Sequence, residues 1–176
     1  MANADAQWLR TSWRLIGWGG AACLLVVPLI TRAPWTGFDF LLMGALLGSL
    51  GLGFELVMRK SGSVACRSAA GIGLLASFLV IWINGAVGMI GSESNPMNLL
   101  FAGVLAIGLA GAALARLEPR GMARAMVVTA VAQALAGATG LTTDMRGSIL
   151  AIGFAALWLL SAALFREAAH AGSAGK

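Results

Sequence analysis

Seven carboxylates, one histidine and two cysteines are the carboxylate, imidazole and thiol groups of this chain, which has 176 residues and no tyrosine. Their spacing brings few of them together. His170 falls in the polar stretch REAAHAGSAGK and reads as an exposed surface residue. Cys23 lies inside the first apolar run and Cys66 at the start of the third, so they stand at different depths and no disulfide is expected. Two cysteines without neighbouring histidines make no zinc site. No G-x-S-x-G, H-E-x-x-H or Walker loop occurs, which removes the familiar hydrolase, zinc and nucleotide signatures. No catalytic, cofactor-binding or metal residue is therefore assigned, no cofactor is expected, and the chain does not read as an enzyme.

What polarity there is gathers in NGAVGMIGSESNPMN, residues 84–98, between two long apolar runs. Asn84, Glu93, Asn95 and Asn98, with Asp39 from an earlier loop, form the candidate polar site. A polar vestibule and a well-capped turn both account for it. Asn95-Pro96 suits a helix start, with asparagine as cap and proline in the first helical position. Asn84 lies within an apolar run, where an amide needs partners, and Glu93 is the loop's one charge. Asp39 follows Thr36 by three residues directly before another apolar run, the pattern of a capping box. Glu55 is the buried-carboxylate candidate. At about 100° per residue it shares a helix face with Gly44, Gly48 and Gly51, which suit close approach of a neighbouring helix, while Arg59 one turn on offers an i,i+4 ion pair.

These residues need a scaffold, and the composition names its class. Hydrophobic residues make up 59% of the chain and charged ones 11%, with a mean hydropathy of +0.87. A soluble domain carries roughly 25% charged residues, so this is an integral membrane protein. Crossing a hydrocarbon core of ~30 Å takes about 20 helical residues, and every backbone group must then bond within its own segment. The ~10-residue alternation of a barrel is absent. Charges divide the chain into six candidate spans, 15–31, 38–58, 68–87, 98–115, 125–138 and 148–165. The prediction is an all-α polytopic bundle of six transmembrane helices in one domain, with an interfacial segment 1–14 and a flexible tail 167–176. The fifth span is short and carries Gln133, which its neighbours must shield. The unbroken stretch from Val64 to Ile90 is too long for the core, so it must tilt, protrude or unwind near Gly85, Gly88 and Gly91.

Orientation follows from the basic residues. Ten of the twelve, Arg10, Arg14, Arg59, Lys60, Arg67, Arg116, Arg120, Arg124, Arg166 and Lys176, fall on one side, and Arg32 and Arg146 on the other. This is the positive-inside pattern, and it predicts cytoplasmic termini. The net charge of +5 thus reflects threading, and its dispersal over loops does not suit nucleic acid. Trp8, Trp13, Trp18 and Trp35 suit interfacial anchors. WLRTSWRLIGWGGAACLLVVPLITRAPW lacks an A-x-A-like cleavage site, so it is expected to be a retained first helix that Pro28 kinks or ends.

PWTGFDF, CRSAAG, NGAVGMIGSESNPMN and RGMARAM together resemble an uncharacterised family of small multi-pass bacterial inner-membrane proteins, over roughly residues 34–135. The most specific part is the string Asn-x-Ala-Val-Gly-x-Ile-Gly-x-Glu-x-Asn-Pro, carried by Asn84, Ala86, Val87, Gly88, Ile90, Gly91, Glu93, Asn95 and Pro96. Cys66 stands where a tyrosine is expected. The resemblance implies the bacterial inner membrane and a helical fold, and brings no activity with it. Two functions remain. One is a non-catalytic binding or accessory subunit, in lipid, forming a homo-oligomer or packing on a membrane-complex partner. The other is a small-solute or ion permeation protein with an outer vestibule around Asn84, Glu93 and Asp39.

Overall fold

The computed structural model describes residues 17–60 and 63–174. Trp8, Trp13, Arg10, Arg14 and Lys176 lie outside them. The helices are α1 (Gly17–Ile30), α2 (Gly37–Lys60), α3 (Val64–Ala86), α4 (Leu99–Leu114), α5 (Pro119–Ala138), α6 (Met145–Gly153) and α7 (Ala155–Ala174). A single 3-10 turn, Pro96–Asn98, leads into α4. No strand occurs among the described residues, and the protein is an all-α helical bundle. Among the described residues, five lengths are long and apolar enough to cross a membrane: Gly37–Arg59, Val64–Ala86, Pro96–Leu114, Pro119–Ala138 and Met145–Gly172. The last joins α6 and α7 through the turn at Phe154. Pro28 sits in the last turn of α1, which ends two residues later.

Two boundaries differ from expectation, and the end of α3 settles a choice the sequence leaves open. Helix α5 begins at Pro119, not at 125, because Pro119 occupies the first helical position after Glu118 and the charged first turns remain good helix. Helix α3 stops at Ala86, so the overlong stretch is resolved by unwinding. Helix α7 continues to Ala174. Residues 167–174, polar enough to predict a tail, are helical because Glu, Ala and His extend a helix readily once it is nucleated.

The chain divides into two compact units that part between Glu55 and Leu56, within α2. In the first unit, the indole of Trp18 on α1 donates to Glu55 Oε1 at 3.2 Å. Its ring lies over Gly51, where an added Cβ would stand 2.8 Å from the ring edge. Trp18 is thus a packing residue with a polar tip as well as an apolar one. The expectation of a close contact along Gly44, Gly48 and Gly51 holds only at Gly51. Around Gly44 and Gly48, no described atom comes within 4 Å of an added Cβ.

The second unit is built on small residues. Ala69, Ala70 and Ala76 of α3, Ala123, Ala125 and Ala130 of α5, and Ala162 and Ala168 of α7 are buried around Trp158 and Phe165. Between helices in lipid no hydrophobic force acts, so close van der Waals contact must hold them together, and small side chains permit it. A Cβ on Gly111 of α4 would come 2.7 Å from the Cβ of Ala125. Ser161 Oγ on α7 donates to the carbonyl of Ala69 on α3 at 2.7 Å. Half of the apolar window of α5 is buried, against 33% in α3 and 22% in the length that contains α4, so α5 is the central helix of this unit. Its Gln133 is fully buried and its Nε2 donates at 3.0 Å to the carbonyl of Ala151, beside the break between α6 and α7. The amide that looked out of place in an apolar span is the donor for an interrupted helix.

Candidate functional site

Residues 84–98 form a knot tied to one asparagine. After α3 ends, the chain turns through Gly88, whose φ is +80°, and folds back so that Met89 and Ile90 enter the bundle. Ile90 is fully buried and joins Val80, Phe101, Val104, Ala136 and Ala151 in a second core cluster. It sits against Gly140, where a Cβ would stand 2.5 Å from Ile90 Cγ2. Burying a loop backbone strands its amides unless partners are supplied. Asn98 supplies them. Its Oδ1 accepts from the N–H groups of Met89 at 3.1 Å and Ile90 at 3.0 Å, and its Nδ2 donates to the carbonyl of Ser92 at 2.7 Å.

The other asparagines complete the knot. Asn84 Nδ2 donates to the carbonyl of Asn98 at 3.0 Å, tying the last turn of α3 to the start of α4. Its Oδ1 is buried without a hydrogen-bond partner. Asn95 Nδ2 donates to the carbonyl of Ile90 at 3.1 Å, while its Oδ1 accepts from Met97 N–H at 3.0 Å, the cap that Asn95-Pro96 predicts. Gly88 could not be replaced here: besides its positive φ, a Cβ would fall 2.6 Å from the Ser92 carbonyl and 2.7 Å from Asn98 Nδ2.

Asp144, which sequence reasoning passed over, ties this loop to the far end of the chain. Its Oδ1 accepts from Gly147 N–H at 3.0 Å, capping α6, and its Oδ2 accepts from Gly91 N–H at 2.8 Å. Those donors, the Gly147 N–H first and the Gly91 N–H next, hold its carboxyl below the usual value of 3.8. A local signal existed: an aspartate directly before MRGSILAIG is a cap in waiting. Its second bond spans 53 residues and leaves no local trace.

The remaining candidates stand apart in role. Glu93 is exposed on the loop. Asp39 Oδ2 accepts from the Thr36 N–H at 2.6 Å and from the Thr36 hydroxyl at 2.8 Å, and Asp39 N–H reaches Thr36 Oγ1 at 3.4 Å. That is the predicted capping box. Glu55 is buried and bonded to Trp18, as described. Of the candidate site, Asn84, Asn95 and Asn98 are therefore brought together, and apart from Asn84 Oδ1 their amide groups bond the backbone of residues 89–98. Among the described residues no three His, Cys, Asp or Glu side chains group as metal ligands. The chain matches no protein-family model, no curated protein and no solved structure.

Proposed function

We propose that the protein is a non-catalytic, six-span component of the bacterial cytoplasmic membrane, with both termini in the cytoplasm, that packs with copies of itself or with a membrane partner. One observation carries this over the permeation alternative. The polar segment 84–98 has the Asn98 side chain bonded to the buried Met89 and Ile90 amides, with Ile90 set into the core, which suits a closing cap and not a vestibule. The resemblance noted above supports the compartment, and the bias of basic residues supports the threading. Small-residue packing within the bundle, and long apolar lengths with much of their surface exposed, suit lateral association in lipid.

Reconstitution into proteoliposomes tests the reading. The expected result is ion leakage no greater than in protein-free vesicles, together with a defined oligomer or co-purifying membrane complex in mild detergent. A flux that Glu93→Gln removes would establish the permeation alternative in its place.

A further inference from the structure

We propose that the groove between the first turns of α5 and the last turns of α7 is a binding site for the headgroup of an anionic phospholipid. A cavity of about 470 Å³ opens there, with Arg120 and Arg124 from α5 and Arg166 and His170 from α7 around it. The spacing explains the convergence. Arg120 and Arg124 are one turn apart on α5, as Arg166 and His170 are on α7, so each pair projects from one helix face. The two helices share the unit's most extensive packing, which brings the faces together.

Three arginines border one cleft whose lining is itself almost wholly apolar, so their stems line it and their like charges gather about it without a carboxylate among the lining residues. Neither Glu118 nor Glu167 lines the cavity, although each adjoins one of its segments in sequence. A phosphate diester supplies the missing charge, and its oxygens match the forked donors of arginine. The cavity lining includes Ala123, Val127 and Val128, which suits an amphipathic ligand better than a free ion.

The lipid source follows from what continues below. Val127, Val128, Val131 and Leu135 are exposed at spacings of one, three and four residues, an unbroken apolar strip running away from the arginines. From Arg124 to Leu135 the helix advances about 16 Å, half of a ~30 Å hydrocarbon core. A headgroup held at the arginines thus leaves its acyl chains lying on this strip through one leaflet. Basic pockets between spanning helices take anionic lipid headgroups by this arrangement. The inference rests on the reading that α5 and α7 cross a bilayer, which thiol labelling of the loops tests separately.

The experiment is titration of the purified full-length protein in neutral detergent with dioctanoyl phosphatidylglycerol, dioctanoyl phosphatidylcholine or inorganic phosphate, followed by calorimetry. Phosphatidylglycerol is expected to bind at least about tenfold more tightly than either of the others. Loss of each arginine should weaken it about fivefold, and Arg120→Gln/Arg124→Gln/Arg166→Gln together roughly a hundredfold. Arg146→Gln, outside the groove, should bind as the parent does. Should the triple variant not fold, Arg124→Gln and Arg166→Gln are read singly. Equal binding of phosphatidylcholine, undiminished binding by the arginine variants, or inorganic phosphate bound as tightly as the lipid would each overturn the proposal.

Discussion

Asn98→Ala is the substitution to which the cap is most sensitive. It removes the acceptor of the Met89 and Ile90 amides and the donor to the Ser92 carbonyl. Both amide bonds are buried, and an unpaired buried donor costs about 1–3 kcal/mol, so the two amides alone cost roughly 2–6 kcal/mol. Against a total stability of about 5–15 kcal/mol this is a large fraction. For a chain of this length, each kcal/mol moves the melting temperature by about 2–4 °C, so a fall of roughly 5–20 °C is expected. The assay is thermal unfolding in mild detergent, with folded yield from size-exclusion chromatography. Glu93→Gln on the same loop should stay within about 0.5 kcal/mol of the parent, since an exposed charge contributes little. Asn84→Leu loses one hydrogen bond but also a buried carbonyl oxygen that has no partner, so its net change should be below about 1 kcal/mol. The reasoning is refuted if Asn98→Ala melts with the parent, or if Glu93→Gln is as damaging.

Three other perturbations probe the scaffold. The carboxyl of Asp144 is held below 3.8, so its contribution is present at neutral pH and is lost as pH falls through the lowered value. Melting temperatures followed from about pH 6 to about pH 3 should fall for the parent, and Asp144→Asn should start lower and fall less. Gly111→Leu must displace Ala125 and should cost about 1–3 kcal/mol or more, whereas Gly48→Leu should be mild; equal folded yields would place α4 and α5 further apart than described. Single cysteines at Ser94 and Thr143, in a background lacking Cys23 and Cys66, should react with impermeant maleimide in intact cells, and one at Ser61 should not. The reverse pattern would invert the threading.

The elements were legible because a bilayer imposes a length that apolar runs must meet, and charges mark where they stop. Residues 38–58 and 98–115 accordingly fall close to α2 and to the 3-10 turn with α4. Local caps were legible too, since Thr36 with Asp39, and Asn95 with Pro96, act within three residues. Arg120 and Arg124 concealed the start of α5, because a hydropathy pattern ends where charge begins although the helix does not. Contacts between distant segments left less trace. Gly44, Gly48 and Gly51 make a cleaner stripe than Gly111 or Gly140, yet the closer approaches at Gly111 and Gly140 depend on which segment lies opposite. Asn98 was visible as a polar residue at the start of an apolar run. That its side chain would serve Met89 and Ile90 required knowing that the loop folds back into the bundle.

Amide hydrogen exchange at Met89 and Ile90, in the protein reconstituted in a bilayer, tests the closing cap most directly and needs no assay of activity. If the segment closes the bundle, these two amides are buried and bonded to Asn98 Oδ1, and they should exchange at least about a hundredfold more slowly than those of the exposed Ser94 and Glu93. Asn98→Ala should then bring them toward the loop rate. Exchange of Met89 and Ile90 at the rate of Ser94 in the parent protein would mean that water reaches the inside of the loop, and the cap would give way to an open vestibule.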